Sequence, residues 1–113
     1  MAAAYPASSA NGIRVQQGWA EWLIAKQRLD AAAQTLDAVQ PLLAGSPYAA
    51  VRQQVLRARL AEQRGNRNEA AQHWQAAVAA SEPLYGRESA VTAQWRSALQ
   101  AARGDTQGSA ALP

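Results

Sequence analysis

The chain has 113 residues, of which 49% are apolar, and its formal net charge of +3 is carried almost wholly by arginine. The length suits one domain, and the absence of cysteine excludes disulfides, thiolate catalysis and cysteine-based zinc or iron–sulfur sites. No apolar run approaches the roughly 20 residues of a membrane span, and the start "MAAAYPASSANG" lacks the basic and apolar regions of a signal peptide. We therefore expect a cytoplasmic protein without membrane attachment.

Helix-forming residue types dominate the composition. Alanine makes up most of the apolar half, Phe is absent, and β-branched residues are sparse and unclustered. Alanine is the best helix former, and Gln, Arg, Glu and Leu, which follow it closely, fill most of residues 13–103. We predict an all-α fold, whose core depends on close approach between helices, with Leu, Val and Trp as wedges.

Five helices are predicted in a helical domain at residues 12–104. A leader at residues 1–11 and a tail at residues 105–113 are rich in small and turn-forming residues and are expected to be disordered. The first helix covers about residues 12–27. Its three- and four-residue steps are marked by Val15, Trp19, Trp22, Leu23 and Lys26.

The second and third helices are placed by their first residues. The second covers about residues 30–43, with Asp30 at its start, where a carboxylate can accept hydrogen bonds from unpaired backbone N–H groups. The third covers about residues 47–64. Ser46 is a suitable N-cap for it, and Pro47 suits the first turn because its missing N–H has no partner there in any case.

The last two helices are bounded by turn-forming residues. The fourth covers about residues 67–81, is capped by Asn66 or Asn68, and ends at the break "SEPLYGRES". The fifth covers about residues 88–103 and ends at Gly104. Because all connections are short, neighbouring helices are expected to lie antiparallel and in contact.

The sequence repeats itself at a nearly constant interval. Positions in the second helix return in the fourth, where Ala32, Leu36 and Val39 correspond to Ala70, Trp74 and Ala77. Positions in the first helix occur three times, as Trp19 and Leu23, Leu56 and Leu60, and Trp95 and Leu99. One helix pair therefore occurs twice, and its first helix occurs a third time. In each pair a small residue lets the backbones approach, and a large residue one turn later fills the gap.

On these residues the chain resembles the tetratricopeptide repeat family over residues 13–104. The first copy of the family pattern is matched loosely by Trp19, Ala20 and Leu23, followed by Gln27 where glycine is usual. The second copy is matched well by Gly65, Ala70, Trp74 and Ala77, although its first helix places Leu56 and Leu60 one residue early. The third copy has the same early placement in Trp95 and Leu99.

The resemblance implies a right-handed α-solenoid of antiparallel helix hairpins, with about two and a half repeats. The interval exceeds the family's period of about 34 residues by roughly one helical turn, which is similar to a longer variant found in bacterial regulatory proteins. Another antiparallel helical bundle is the alternative fold. The fifth helix then caps the second pair, whereas the first pair has no cap except the leader. We therefore expect either the C-terminal end of a larger regulator or a small self-associating protein.

In this family the first helices of the repeats line a groove that receives a peptide or helix. By the family's spacing, the groove-facing residues are Arg14, Gln17, Glu21 and Ile24, then Arg52, Val55, Arg59 and Glu62, then Val91, Gln94 and Ala98. The residues that we assign to partner binding are Arg14, Gln17, Glu21, Arg52, Arg59 and Gln94. The lysine and asparagine set with which some members hold a terminal carboxylate is not found at these positions.

The two arginines of the third helix also stand out without the resemblance. Arg52 and Arg59 are separated by about two helical turns, so they lie within about 20° of each other around the helix. Two guanidinium groups so placed could hold a carboxylate or an acidic peptide. Alternatively, they pair with Glu21 or Glu62 on adjacent helices, and the sequence leaves both possibilities open.

The sequence offers little for catalysis. His73 is the only histidine, and no spacing supports a hydrolytic set of His73 with Ser89 or Ser97. With no second imidazole and no thiol, a metal site lacks ligands. Glu62 and Glu69 flank a turn beside arginines, which suits surface ion pairs. There is no phosphate-binding loop and no dinucleotide-binding glycine pattern. We predict a protein that is not an enzyme and uses no cofactor and no metal.

Three functions follow from these features. The first is a non-catalytic protein–protein interaction module, part of a bacterial regulatory or assembly protein, whose peptide or protein partner is acidic. The second is a self-associating structural or scaffold piece, for which Trp22 is the candidate contact residue, although packing of Trp22 against the second helix is the favoured alternative. The third is a basic helical domain that binds nucleic acid, which is disfavoured because the arginines are interleaved with glutamate rather than grouped in blocks.

Overall fold

A computed structural model describes residues 9–111 of the chain. These residues form five α-helices and one short 3-10 helix, with no β-strand among them. The α-helices are α1 (Ala10–Ala25), α2 (Leu29–Val39), α3 (Pro47–Gln63), α4 (Arg67–Tyr85) and α5 (Ala90–Ala111), and the 3-10 helix is Gln40–Leu42. The predicted all-α fold with five helices is thus confirmed over this range. Residues 1–8 of the predicted leader and 112–113 of the predicted tail lie outside the described residues.

Short connections join helices that pack on each other, α1 on α2, α3 on α4 and α4 on α5, so each of these pairs is antiparallel. By contrast, α1 and α3 run parallel. Gln17 bonds to Gln53, and Gln27, just beyond α1, bonds to Gln63, and both pairs are 36 residues apart. The α1–α2 and α3–α4 hairpins therefore lie side by side in the same orientation.

Alanine lies where the helices cross. Among the residues whose burial is described, five alanines are wholly buried, at 0% exposure: Ala20, Ala32, Ala58, Ala70 and Ala77. Because the methyl side chain is small, the backbones come close together and larger side chains fill the space beside each crossing. One cluster joins α1, α2 and α3 around Leu36, and a second joins α3, α4 and α5 around Trp74. The predicted burial of Ala32 and Ala70 at the helix contacts is confirmed.

Trp74 fills the centre of the second cluster. Its side chain is 4% exposed, and its ring stacks on Trp95 with centroids 5.8 Å apart and planes 19° from parallel. The indole Nε1–H donates a 2.8 Å hydrogen bond to Glu62 Oε2. The one polar atom of this large ring is therefore satisfied, and the ring fills the space between alanines of α3 and α4.

A chain of hydrogen-bonded amides crosses the junction between the two hairpins. Gln53 of α3 is wholly buried, and its Nε2 donates to Leu36 O at 2.7 Å and to Gln40 Oε1 at 3.3 Å. Its Oε1 accepts a 3.2 Å bond from Gln17 Nε2, which also donates to Ala49 O at 2.9 Å. Because backbone carbonyls can only accept, both amides have a fixed orientation. These bonds fix α3 against α1 and α2.

The turns after α1 and α3 have the same hydrogen-bond geometry and occupy equivalent positions in the repeat. In the turn after α1, Gln27 N–H donates to Ile24 O, and Arg28 N–H donates to Leu23 O. In the turn after α3, Gly65 N–H donates to Glu62 O, and Asn66 N–H donates to Ala61 O. Gln27 has a φ of 63° and Gly65 a φ of 76°, as in helix endings of the Schellman type. Gln27 therefore holds a left-handed conformation that costs a residue other than glycine about 1–2 kcal/mol.

The buried face of α1 differs from the one predicted. Val15, Trp19 and Trp22 are exposed, so Trp19 does not pack in the core as Leu56 does, although the repeat aligns the two positions. The residues of α1 that face the core are Ile13, Gln17, Ala20, Leu23 and Ile24. This helix carries two apolar stripes, and the stripe that contains the small Ala20 allows the closer approach to α2.

The helix starts also differ in places from the predictions. The first helix begins at Ala10, because the Ser9 hydroxyl accepts a 3.0 Å hydrogen bond from Gly12 N–H and caps it. The second begins at Leu29, so Asp30 lies inside its first turn and bonds to Arg64 instead of capping. Asn66, one of the two predicted caps, accepts from Glu69 N–H at the start of α4.

Two helices run further than predicted. In α4 the helix passes Pro83, which lies in its last turn, and ends at Gly86 with a φ of 94°. In α5 the helix passes Gly104, whose φ is not positive, and includes residues 105–111, which the sequence assigns to a tail. In contrast, α2 ends early at Val39, and Pro41 continues the chain as a 3-10 turn.

Replacing Trp74 by alanine is expected to lower the free energy of unfolding by about 3–5 kcal/mol, because it empties the centre of a packed cluster. Trp22→Ala is the matched control. Since the Trp22 side chain is 44% exposed, its loss is expected to cost less than about 1 kcal/mol. Urea unfolding followed by circular dichroism measures both values. Equal losses for the two variants would contradict the packing described for Trp74.

Candidate functional site

A groove of about 640 Å³ opens between α1 and the start of α5, with α3 between them. Its lining comes from distant parts of the chain, because parallel packing places equivalent turns of α1 and α3 side by side. The lining residues that carry a charge or an aromatic ring are Arg14, Glu21, Tyr48, Arg52, Arg59, Tyr85 and Trp95. This concave surface is the candidate site.

The two sides of the groove differ in polarity. On α3, Val55 packs in the cluster shared with α4 and α5, whereas Arg52 bonds to α1. The side toward α5 is completed by Val91 and Trp95, which are both half-buried. The side toward α1 is charged. The groove therefore has an apolar side and a cationic side that run along the same helix.

Two tyrosines lie at one end of the groove. Tyr48 of α3 and Tyr85 of α4 meet edge to face, with ring centroids 5.4 Å apart and planes at 77°. Their side chains are 56% and 40% exposed. Tyrosine combines a large apolar ring with a polar hydroxyl and is enriched in protein interfaces, so this pair supplies contact area that the fold itself does not use.

Glu21 bridges the two arginines of α3. Its Oε1 accepts a 2.8 Å bond from Arg52 Nη2, and its Oε2 accepts a 3.3 Å bond from Arg59 Nη1. The three side chains are between 40% and 48% exposed, so water screens both ion pairs. Of the alternatives left open by the sequence, pairing with Glu21 is the one observed, since Glu62 bonds to Trp74 instead.

Arg14 adds a further cation to the same side. It is exposed, and its side chain makes no ion pair with another residue in the described part of the chain. It lies about two helical turns before Glu21, on the same side of α1. With three arginines and one glutamate among the lining residues, the groove carries excess positive charge.

Gln17 lies at the base of the groove, where it has a structural role. Its Nε2 already donates to Ala49 O and Gln53 Oε1, and its side chain is wholly buried. Its Oε1 has no hydrogen-bond partner among the described residues. Gln17 therefore links α1 to α3 directly beneath the surface that carries the arginines.

Most of the predicted partner-binding residues lie together. Those that line the groove are Arg14, Gln17, Glu21, Arg52 and Arg59, together with Val55 and Val91. Ile24 does not, because it is buried in the cluster shared with α2. Gln94 is exposed outside the groove, and the neighbouring Trp95 lines it instead. Glu62 and Ala98 also lie outside the groove lining.

The aromatic part of the site is not among the residues predicted from the sequence. Tyr85 falls in a segment predicted to be a loop, so the pattern assigns it to no helix face. Trp95 is a repeat position, but the family's spacing directs Gln94 to the groove. Tyr48 follows Pro47 in the first turn of α3. The feature of the sequence that indicates this pair is a tyrosine at each of two helix ends.

His73 lies away from the groove and takes part in a local hydrogen-bond network on α4. Its Nδ1 is 2.8 Å from Gln54 Oε1, and its Nε2 is 3.7 Å from Glu69 Oε2. Partial burial lowers the pKa of His73, while the Glu69 carboxylate acts in the opposite direction.

Ser89 lies at the start of α5, where its hydroxyl accepts a hydrogen bond from Thr92 N–H. Among the side chains that the structure describes, no three His, Cys, Asp or Glu residues are grouped to hold a metal.

The lowered pKa of His73 predicts a pH-dependent stability. The unfolded chain has the ordinary pKa of 6.5, so as the pH falls through that value the unfolded state binds the proton before the folded state does. The stability contributed by neutral His73 is therefore complete above about pH 6.5 and is lost below it. The free energy of unfolding of the wild type should fall more than that of His73→Gln between about pH 7.5 and about pH 5.5, a range that spans the pKa of the unfolded chain. A greater fall in the free energy of unfolding of the variant would mean that the Glu69 carboxylate raises the pKa of His73 more than burial lowers it.

Comparisons with protein-family models, with curated proteins and with solved structures each found no match. Within the described residues, every helix is too short or too polar to cross a lipid bilayer. The groove, its charges and its aromatic rim are therefore the basis on which a function is proposed.

Proposed function

We propose that this protein is a non-catalytic protein–protein interaction module, which binds a peptide or helix in the groove between α1 and α5. The observation that carries the proposal is the groove itself, in which two exposed tyrosines and half-buried apolar side chains face three arginines across one concave surface. Such a mixture of aromatic, aliphatic and arginine side chains is typical of protein interfaces. We also propose the tetratricopeptide-like, right-handed solenoid as the architecture.

Two features support an open solenoid over a closed bundle. The α1–α2 and α3–α4 hairpins have the same turn at equivalent positions, and α3 packs directly on the parallel α1. A closed bundle would bring its last helices back against α1. Here α4 packs on α3 and α5 packs on α4, and neither has extensive contact to α1. An open stack leaves a concave side, and the groove lies there.

The dimensions suit a short segment. From Tyr48 to Arg59 the groove follows α3 for roughly 16 Å, at about 1.5 Å per residue. About five residues of extended chain, or about three turns of helix, cover this length. The proposed ligand is therefore a short segment of a partner protein, much smaller than a whole domain.

The double variant Arg52→Ala/Arg59→Ala is expected to keep its helix content, because both side chains are exposed, and to bind partner peptides about tenfold more weakly. Suitable probes are peptides selected from a random display library on the full chain, with binding measured by fluorescence anisotropy. The matched control is Arg28→Ala/Arg87→Ala, which removes the same charge from positions outside the groove. Equal affinities for the two double variants would exclude the arginine pair as a binding site.

A second candidate function, self-association, is favoured by one observation. Trp19 and Trp22 stack on the outer side of α1, with centroids 4.8 Å apart and planes 13° from parallel, yet they are 51% and 44% exposed. Val15 lies beside them and is 62% exposed. Contiguous apolar surface of this kind marks protein contacts, and α1 has no preceding helix among the described residues to cover it.

Sedimentation velocity tests self-association. If this face joins two copies, the weight-average sedimentation coefficient of the wild type should rise between micromolar and millimolar concentration, and that of Trp19→Ala/Trp22→Ala should not. The substitutions remove exposed rings, so the fold is expected to persist, and circular dichroism provides that control. A wild-type protein that is monomeric throughout the range would rule this function out.

A further inference from the structure

We infer that Glu21 occupies the position that a partner's carboxylate takes on binding, and that the partner is an acidic amphipathic peptide segment. The inference rests on the proposed function and specifies its ligand. It makes Glu21 an internal competitor, which holds the two arginines of α3 in place while the groove is empty and is displaced when the partner binds.

The contact between Glu21 and the two arginines allows one carboxylate to replace another. One carboxylate bridges Arg52 and Arg59, at 2.8 and 3.3 Å, through one terminal nitrogen of each guanidinium group. Each guanidinium carries five N–H donors, so most donors of the pair are open to solvent or a ligand. All three side chains are close to half exposed, and ion pairs of this kind exchange partners at little cost. The arrangement binds a carboxylate and can exchange it for another.

The charge of the groove favours an acidic partner. Arg14, Arg52 and Arg59 are opposed in the groove lining by Glu21 alone. A cationic segment would be repelled, and a neutral one would leave the arginines as they are. An acidic segment gains attraction from all three, and it does so even while Glu21 remains near, because the excess charge is positive. The net positive charge of the groove therefore favours a negatively charged partner.

The apolar side of the groove distinguishes a peptide from a nucleic acid. Val51 and Val55 of α3 face the same groove as Val91 and Trp95 of α5. A segment with aliphatic or aromatic side chains on one side and carboxylates on the other can contact both the apolar and the cationic side of the groove. A nucleic acid supplies phosphates for the arginines but has no aliphatic side chains for the valines.

The test uses acidic peptides selected from a random display library on the full chain, together with copies in which every Asp and Glu is replaced by Asn or Gln. Glu21→Gln keeps the size of the side chain and removes its charge. It is expected to bind the acidic peptide about 3- to 10-fold more tightly than the wild type and to leave the affinity of the neutral copy unchanged. Glu82→Gln is the control, because Glu82 pairs with Arg96 outside the groove at a similar exposure.

A third variant separates failure of the inference from failure of the proposed function. Tyr48→Ala/Tyr85→Ala alters the rim without touching any charge, and it should weaken every groove-bound peptide. If it weakens none, the groove is not the site and the proposed function fails. If it weakens binding but Glu21→Gln does not tighten it, the interaction module stands and the role of Glu21 is overturned. Competition by a short oligothymidine as strong as that by the acidic peptide would also overturn the inference, because charge alone would then be recognised.

Discussion

Close approach of helices at alanine is the constraint on which this structure depends. With no Phe and few large aliphatic residues, the chain can exclude water only by bringing backbones together, and a methyl group at each crossing permits this. The wholly buried Ala32 and Ala70 occupy equivalent crossings in the two hairpins. Larger side chains then have defined gaps to fill, as Leu36 and Trp74 do one turn further along each helix. The repeated sequence is thus a repeated solution to one packing problem.

Packing alone does not fix how the hairpins are aligned with each other, because methyl groups offer little resistance to sliding. The buried amide of Gln53 does so, since its bonds to Leu36 O and Gln17 would be lost if α3 moved by one turn, and an unpaired buried amide costs about 1–3 kcal/mol. The same alignment that joins Gln17 to Gln53 brings Glu21, one turn later, to Arg52. The geometry of the exposed groove is therefore set by a polar contact beneath it.

Some features of this structure depend on local chemistry and can be predicted from the sequence, whereas others depend on packing between helices and cannot. Helix number, turn residues and the repeated alanines depend on local chemistry, so they could be predicted. The buried face of α1 could not, because the helix carries two apolar stripes, and only packing against α2 selects the stripe with Ala20 over the stripe with Trp19 and Trp22. The predicted helix end at Gly104 is wrong for a related reason, since glycine permits a left-handed ending but does not require one. In the groove, charged residues at regular spacing were accessible to prediction, whereas Tyr85 depends on a helix that continues through a proline.

The two kinds of polar contact in this protein have different physical consequences. The amides of Gln17 and Gln53 are buried, so their bonds are strong and cannot be exchanged without unfolding the junction. The ion pairs of Glu21 are half exposed, so they are screened and contribute little to stability. Substitutions that change the affinity of such a groove need not weaken the fold. Changes at Glu21, Arg52 or Arg59 leave the hydrogen bonds of the buried glutamine amides intact. A scaffold fixed by buried neutral groups and a surface formed by exposed charges can therefore change independently, although they lie on the same two helices.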